Sequence, residues 1–263
     1  MYYRYSNLDI LKEAKTPYPY IEKLNILLIR HGESEVNALQ ADYKSLGQPL
    51  TEDLKIEDAF VKLTSVGIEQ ANQLGITLKK YMQEQHISNN DVLILVSPYE
   101  RARQTFEIAN KHLGFIENAQ NIVVLNSLIE QFFGAFHMIS RDVKKAAYPK
   151  IYEECIRNSL TYFKPTFLGE SPFDVCNRLW SAIYFIKDYT SENNIKNVFI
   201  FGHGNANKCM LMNLLNLPPE FYNDFPKATN SSIININNGK FIPFNFGSKS
   251  IVGVKHLQSV LHQ

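Results

Sequence analysis

Short apolar runs alternate with longer amphipathic segments along this chain. The runs at 24–29, 92–96, 122–125, 198–201 and 233–236 are rich in β-branched residues and leucine, and polar residues, glycine or proline bound them. Their length and composition predict strands buried on both faces. Across 64–86, Ala71, Leu74, Leu78, Tyr81 and Met82 recur at three- and four-residue spacing. After Ser171, Val175, Leu179, Ala182, Ile183 and Ile186 do the same. Each set makes one apolar stripe on a helix. Ser97-Pro98-Tyr99-Glu100 reads as a capping box with proline at the first helical position. Ser171-Pro172-Phe173-Asp174 has serine at the N-cap, proline at N1 and an acid at N3. Strands that alternate with helices predict an α/β fold: a three-layer α/β/α sandwich with a mostly parallel central sheet. In such sheets ligands bind beyond the carboxyl ends of the strands, so the residues that follow each strand carry the chemistry.

Composition narrows the field. The chain has 263 residues, 45% of them apolar, enough for a full-sized core without staples. Lys plus Arg is 27 against 26 Asp plus Glu, a net charge of +1. That balance argues against a nucleic-acid-coating or membrane-coating protein. Cys155, Cys176 and Cys209 are widely spaced and form no C-x-x-C, so neither a disulfide framework nor a thiolate zinc site is expected. A cytoplasmic or other reducing compartment fits. No stretch is long and apolar enough to span a bilayer. Residues 1–24 are tyrosine-rich, with Pro17 and Pro19 and without the apolar core of a signal peptide. They are read as a strap on the domain or a partner contact.

Arg30-His31-Gly32-Glu33-Ser34 and Asn37 follow the first run, and Ser97-Pro98-Tyr99-Glu100-Arg101 the second. Glu130 follows the third, and Gly202-His203-Gly204-Asn205 the fourth. Arginine offers planar, bidentate bonding to phosphate oxygens. A histidine among arginines can act as a nucleophile, and a carboxylic acid can protonate a leaving oxygen. The set suits phosphoryl transfer through a covalent phosphohistidine.

These motifs resemble the histidine phosphatase superfamily, also called the phosphoglycerate-mutase-like family. The resemblance rests on Leu28-Ile29-Arg30-His31-Gly32-Glu33-Ser34 with Asn37, and on Leu63-Thr64, Gly67 and Gln70-Ala71. It continues through Ser97-Pro98, Arg101-Ala102 and Gln104-Thr105, then Glu130 with Gly134, Gly169-Glu170-Ser171 and Gly202-His203-Gly204. The motifs stand in the family's order over about 24–232. The resemblance implies that His31 is the nucleophile. Arg30, Arg101 and His203 would hold the phosphoryl oxygens, with Asn37, Ser34, Asn205 and Gly204 lining the substrate site. Glu130 would be the general acid and then the base for water. Electrostatics agree: cations near His31 disfavour its imidazolium and stabilise charge on the transferring oxygens. No cofactor or metal is expected, since protein cations stand where a metal would.

Two departures stand out. Gly202 replaces the usual small Ser, Ala or Thr, with a modest expected effect on geometry. The segment between Asn37 and Leu63 is long and loop-like, as in a less-studied branch of phosphoglycerate-mutase-like proteins.

Bland readings have weaker support. A bare arginine at a buried strand end is costly as a surface charge. Two histidines, each before a glycine after a buried strand, are not two chance core residues, and nearby arginines would repel a metal. Glu117 is a rival to Glu130. Arg103 points to another helix face than Arg101 and is read as solvated or paired. Glu170 and Ser171 read as a helix start.

Residues 132–170 hold Arg141, Lys144, Lys145, Lys150, Arg157 and Lys164 among many aromatics. The resemblance makes them an inserted helical cap over the pocket, and their basic and aromatic residues are read as favouring an anionic or aromatic phosphoester. The tail 251–263, with Val254, Leu257 and Leu261 on one side, reads as a short helix. The expectation is one domain over 1–263, with an N-terminal extension at 1–23 and a cap at 132–170. Its function would be metal-independent, histidine acid-type hydrolysis of small-molecule phosphomonoesters. Phosphoglycerate-mutase-type transfer and a phospho-ligand binding module with little turnover are the alternatives.

Overall fold

The computed structural model describes residues 11, 13–45, 57–116, 119–134, 145–150, 152–153, 169–218, 221–225 and 228–242. The expected C-terminal helix, Glu117, Cys155 and most of the expected cap, including Arg141, Lys144, Arg157 and Lys164, lie outside them.

The five apolar runs form β1 (Asn25–Arg30), β2 (Val92–Val96), β3 (Ile122–Val124), β4 (Asn197–Gly202) and β5 (Ile233–Asn237). With β6 (Lys240–Ile242) they build one six-stranded sheet in the order β3-β2-β4-β1-β5-β6. β1 and β2 each pair in parallel with β4, and β3 pairs in parallel with β2. β5 runs antiparallel to β1, and β6 antiparallel to β5. The parallel register sets Arg30 beside Gly202, so the two histidine-bearing loops leave adjacent strands at the same level.

The helices are α1 (Glu35–Ser45), α2 (Ser65–Glu84), α3 (Glu100–Leu113), α4 (Pro172–Glu192), α5 (Gly204–Leu215) and the one-turn α6 (Phe221–Asp224). Successive strand residues point to opposite faces, and each face has its own helices. Leu27, Ile29, Ile94 and Phe199 pack against Leu74 and Leu78 of α2 and Phe106 of α3. Ile26, Leu28, Val198 and Ile200 pack against Val175, Leu179 and Ile183 of α4 and Met210 of α5. The result is the expected three-layer α/β/α arrangement.

Three details differ from the sequence reading. β3 is an edge strand, and Val124 on it is 53% exposed. Its residues are apolar without being buried on both faces, because only β2 flanks them. The capping box at Ser97 does not form: α3 starts at Glu100 with Tyr99 as its N-cap, and Pro98 precedes the helix. The Ser97 hydroxyl is instead 2.7 Å from His203 Nε2. The third difference is β6, which was not anticipated. Asn238 and Gly239 take positive φ of 50° and 69°, the two-residue type I′ turn that an Asn-Gly pair favours. At Ser171 the box does form. Ser171 Oγ accepts from Asp174 N at 3.1 Å, and Asp174 Oδ2 accepts from Ser171 N at 2.9 Å.

The described part of the N-terminal extension is a strap. Leu11 is buried in the α4–α5 face of the core, and Lys15 bridges to Lys240 of β6. Tyr18 sets its ring edge-on to Trp180 of α4.

Candidate active site

Arg30 ends β1, and His31 is the first residue beyond it. His31 is 4% exposed. Its Nδ1 is 2.6 Å from Gly32 O, and its Nε2 is 3.2 Å from Arg101 Nε. A carbonyl only accepts and an arginine Nε only donates. The proton of the neutral ring is therefore on Nδ1, and the lone pair is on Nε2. His31 is held well below the ordinary histidine pKa, first by burial and then by Arg101 and Arg30. The cations anticipated from the sequence contribute, but desolvation contributes more.

The loop around His31 rests on close backbone packing. A Cβ on Gly32 would lie 2.4 Å from Gly67 O, and a Cβ on Gly67 would lie 2.0 Å from Glu33 O. Both positions need glycine. Gly32 N donates to Thr105 Oγ1, Glu33 N to Gln70 Oε1, and Leu63 N to Gln104 Oε1. The Glu33 carboxylate accepts from Thr64 Oγ1 at 2.8 Å, so Glu33 shapes this loop. Ser34 Oγ accepts from Asn37 N, and Asn37 Oδ1 accepts from Ser34 N and from Asn230 Nδ2. Ser34 and Asn37 thus fix the start of α1 and tie it to the loop before β5.

Arg30 and Arg101 are both buried. Arg30 Nη1 donates to Ala228 O at 2.5 Å, and its Nε is buried with no partner among the described residues. Arg101, in the first turn of α3, meets Asp58 on the 3-10 turn Asp58–Phe60. Its Nη1 is 2.6 Å from Asp58 O and 3.0 Å from Asp58 Oδ1. The guanidinium also lies 5.0 Å from the centre of the Tyr99 ring.

His203, the N-cap of α5, is fully buried. Its ring centre is 5.2 Å from that of His31. Burial, then Arg101, His31 and Arg30, hold its pKa well below the ordinary value. Ser97 Oγ pairs with Nε2, and Nδ1 has no partner among the described residues. Glu130 lies against the start of α5. Its Oε2 accepts from Asn205 N at 3.2 Å, and its Oε1 accepts from Ala206 N at 3.1 Å and Gln131 N at 2.8 Å. A Cβ on Gly204 would lie 3.6 Å from Arg30 Nε and 3.9 Å from Glu130 Oε2. Arg30, Glu130 and the α5 N-terminus therefore share one rim.

All five expected catalytic residues (Arg30, His31, Arg101, Glu130 and His203) come together at the carboxyl ends of β1, β2 and β4. Gly202 leaves room for Asn207, whose Oδ1 lies 2.9 Å from where a Cβ would be. Arg103 pairs with Glu107 across 3.7 Å on an exposed face, away from this cluster. Among the described residues, no group of three or more His, Cys, Asp or Glu side chains is arranged to hold a metal ion. No helix among them is long and apolar enough to cross a membrane.

Sequence reasoning missed Asp58 and Arg178. Arg178 Nε donates to Glu170 Oε1 at 2.7 Å, Nη1 to Ser127 O at 2.6 Å and Nη2 to Glu130 O at 3.2 Å. Glu170 Oε2 accepts from Phe132 N. The Arg178–Glu170 pair therefore clamps the segment that carries Glu130. Gly169-Glu170-Ser171 was the only sequence signal for this clamp, and nothing local signalled Asp58.

Residues 26–243 match the histidine phosphatase superfamily (branch 1), and the chain belongs to that superfamily. It is similar to phosphoglycerate mutase-like protein AT74 of Arabidopsis thaliana, with 28% identity over 219 residues. That match covers 79% of this chain but spans 63% of the relative's length. A putative alpha-ribazole-5'-P phosphatase from Escherichia coli superposes with a TM-score of 0.61 at 23% identity, covering 86% of this chain and 97% of that one. A mycobacterial glucosyl-3-phosphoglycerate phosphatase does so with a TM-score of 0.61 at 20% identity, covering 81% and 89%. At these identities the two structures speak to the fold.

Proposed function

We propose that this protein hydrolyses small phosphomonoesters through a phosphohistidine at His31. The observation that carries the reading is the His31 tautomer. Gly32 O holds the proton on Nδ1, and the Nε2 lone pair lies among Arg101, Arg30 and His203.

In the first step His31 Nε2 attacks phosphorus and the P–O ester bond breaks. The departing oxygen takes a proton from Glu130. Charge on the transferring oxygens meets Arg30, Arg101 and the unpartnered Nδ1 of His203, all fixed before substrate arrives. In the second step Glu130 takes a proton from water as the water oxygen attacks the phosphoryl group. The P–N bond breaks and its electron pair returns to Nε2. No metal enters either step.

The named relatives support this choice of reaction, since two solved structures of the same fold are described as phosphatases. The same reading takes the chain as one histidine-phosphatase-like domain with residues 132–170 as a cap over the pocket.

The test is nitrophenol release from para-nitrophenyl phosphate with EDTA present, for the wild type and His31→Ala. Turnover that survives chelation and is lost in the variant is the expected result. A silent wild type that isomerises phosphoglycerates when given a bisphosphoglycerate would replace hydrolysis with mutase chemistry. A silent wild type that only binds phospho-ligands would make it a binding module.

A further inference from the structure

We propose that Asp58 is a positioning residue for Arg101, fixing the guanidinium so that its Nε–Nη2 edge stays turned to the phosphoryl site at His31. The inference rests on the phosphatase reading above and deepens it. Asp58 stands 43 residues from Arg101 in sequence, on the 3-10 turn Asp58–Phe60 that precedes α2.

A guanidinium has five N–H donors in a fixed plane. Asp58 takes the far end of that plane. Nη1 reaches Asp58 O at 2.6 Å and Oδ1 at 3.0 Å, and Nη2 reaches Oδ2 at 3.4 Å. Nε points to His31 Nε2 at 3.2 Å. The edge turned to the phosphoryl site thus carries the second Nη2 proton and Nε–H, which bonds His31 Nε2 until a phosphoryl oxygen takes its place. Bidentate arginine bonding to phosphate uses such a pair of parallel donors. The Tyr99 ring, 5.0 Å from the guanidinium carbon, flanks Arg101 as well.

Burial gives the pair its authority. The Arg101 side chain is 6% exposed and that of Asp58 is 12% exposed. Salt screens such a pair far less than a surface pair. An anion at this place could also act as a plug that phosphate must displace. The geometry disfavours the plug, because Asp58 occupies the end of the guanidinium away from Nε and takes no donor of the His31-facing edge.

Catalysis is steep in placement, and a misdirected donor costs more in the transition state than in the ground state. Loss of the Asp58 carboxylate leaves this end of Arg101 on the Asp58 backbone O alone, which loosens its tilt, and also removes a nearby negative charge that opposes an anionic ligand. These two effects separate a positioning role from the others.

The experiment compares wild type, Asp58→Ala and Asp58→Asn by calorimetric affinity for inorganic phosphate and for vanadate, a mimic of the five-coordinate transition state. Steady-state kcat and KM on para-nitrophenyl phosphate accompany it. The expected result for Asp58→Ala is a loss of about ten-fold or more in kcat and in vanadate affinity, with phosphate affinity unchanged or improved. Asp58→Asn keeps a side-chain oxygen for Nη1 beside the backbone O and should recover most of that loss. Faster turnover with tighter phosphate in Asp58→Ala would overturn the proposal in favour of a plug. Equal losses for phosphate and vanadate, with a lowered Tm, would overturn it in favour of a purely structural contact. A wild type that binds both anions but turns over no phosphoester would sink the phosphatase reading alone, and the phosphate–vanadate comparison would still judge Asp58.

Discussion

Arg101 Nε and His31 Nε2 stand 3.2 Å apart, a hydrogen bond from a permanent cation to the lone pair of a neutral imidazole. The bond ties the first turn of α3 to the loop after β1. On the proposed mechanism, it holds the lone pair where phosphorus would arrive, and substrate binding would exchange it for bonds to a phosphoryl oxygen.

Arg101→Lys keeps the charge but cannot reproduce a fork that reaches Asp58 at one end and the phosphoryl site at its edge. Loss of one preorganised donor at a reacting centre is expected to lower kcat/KM by about 100-fold or more. Steady-state kinetics on para-nitrophenyl phosphate checks this, and a variant within about three-fold of wild type would contradict it.

Stability should fall in acid. His31 and His203 are neutral in the folded protein, with pKa values well below 6.5 from burial and nearby cations. Below about pH 6.5 the unfolded chain protonates them and the folded chain does not, so the unfolded state binds more protons. Each imidazole then costs up to about 1.4 kcal/mol per pH unit as pH falls toward its folded pKa, and neither contributes a slope above about pH 6.5. Urea midpoints between pH 7.5 and 5.0 measure this. His203→Gln should flatten the acid slope relative to wild type.

Gly32→Ala and Gly67→Ala should each be strongly destabilising. The added methyl would meet backbone, Gly67 O at 2.4 Å and Glu33 O at 2.0 Å, and backbone cannot rotate away as a side chain can. The expected cost is about 2–4 kcal/mol by urea unfolding, in the range for overpacked sites and larger than most single substitutions. Gly202→Ala should cost under about 1 kcal/mol, because its methyl meets the tip of the Asn207 side chain at 2.9 Å.

Glu170→Gln and Arg178→Lys should slow turnover without touching substrate. The clamp holds Ser127 O, Glu130 O and Phe132 N, so it sets where the Glu130 carboxyl lies. A drop of about ten-fold in kcat is expected, with inorganic phosphate affinity within two-fold of wild type. A matching drop in phosphate affinity would mean that the clamp supports the whole pocket instead.

Five of the six strands, and the gathering of Arg30, His31, Arg101, Glu130 and His203 at one end of the sheet, were legible in the sequence because they depend on local order. A β-branched run has a period of two, and the residue after a parallel strand lies at the site whatever the rest of the chain does. Arg30, His31, Arg101 and His203 are legible for that reason. The same logic failed at Ser97-Pro98-Tyr99-Glu100. Four residues carry a capping pattern, but a histidine 106 residues away competes for the serine hydroxyl. The Asn238-Gly239 turn was legible in principle and was not read.

The sequence by itself determined five of the six strands and the sheet edge to which Arg30, His31, Arg101 and His203 are carried. The tertiary structure alone decided which nitrogen of His31 carries the proton, that Asp58 takes the end of Arg101, and that Arg178 clamps the Glu130 segment. Apart from Gly32 O beside His31, the deciding contacts join positions 43 to 70 residues apart. Hydrogen-bond direction and burial depend on which groups meet in space, and a local residue pattern does not encode that meeting.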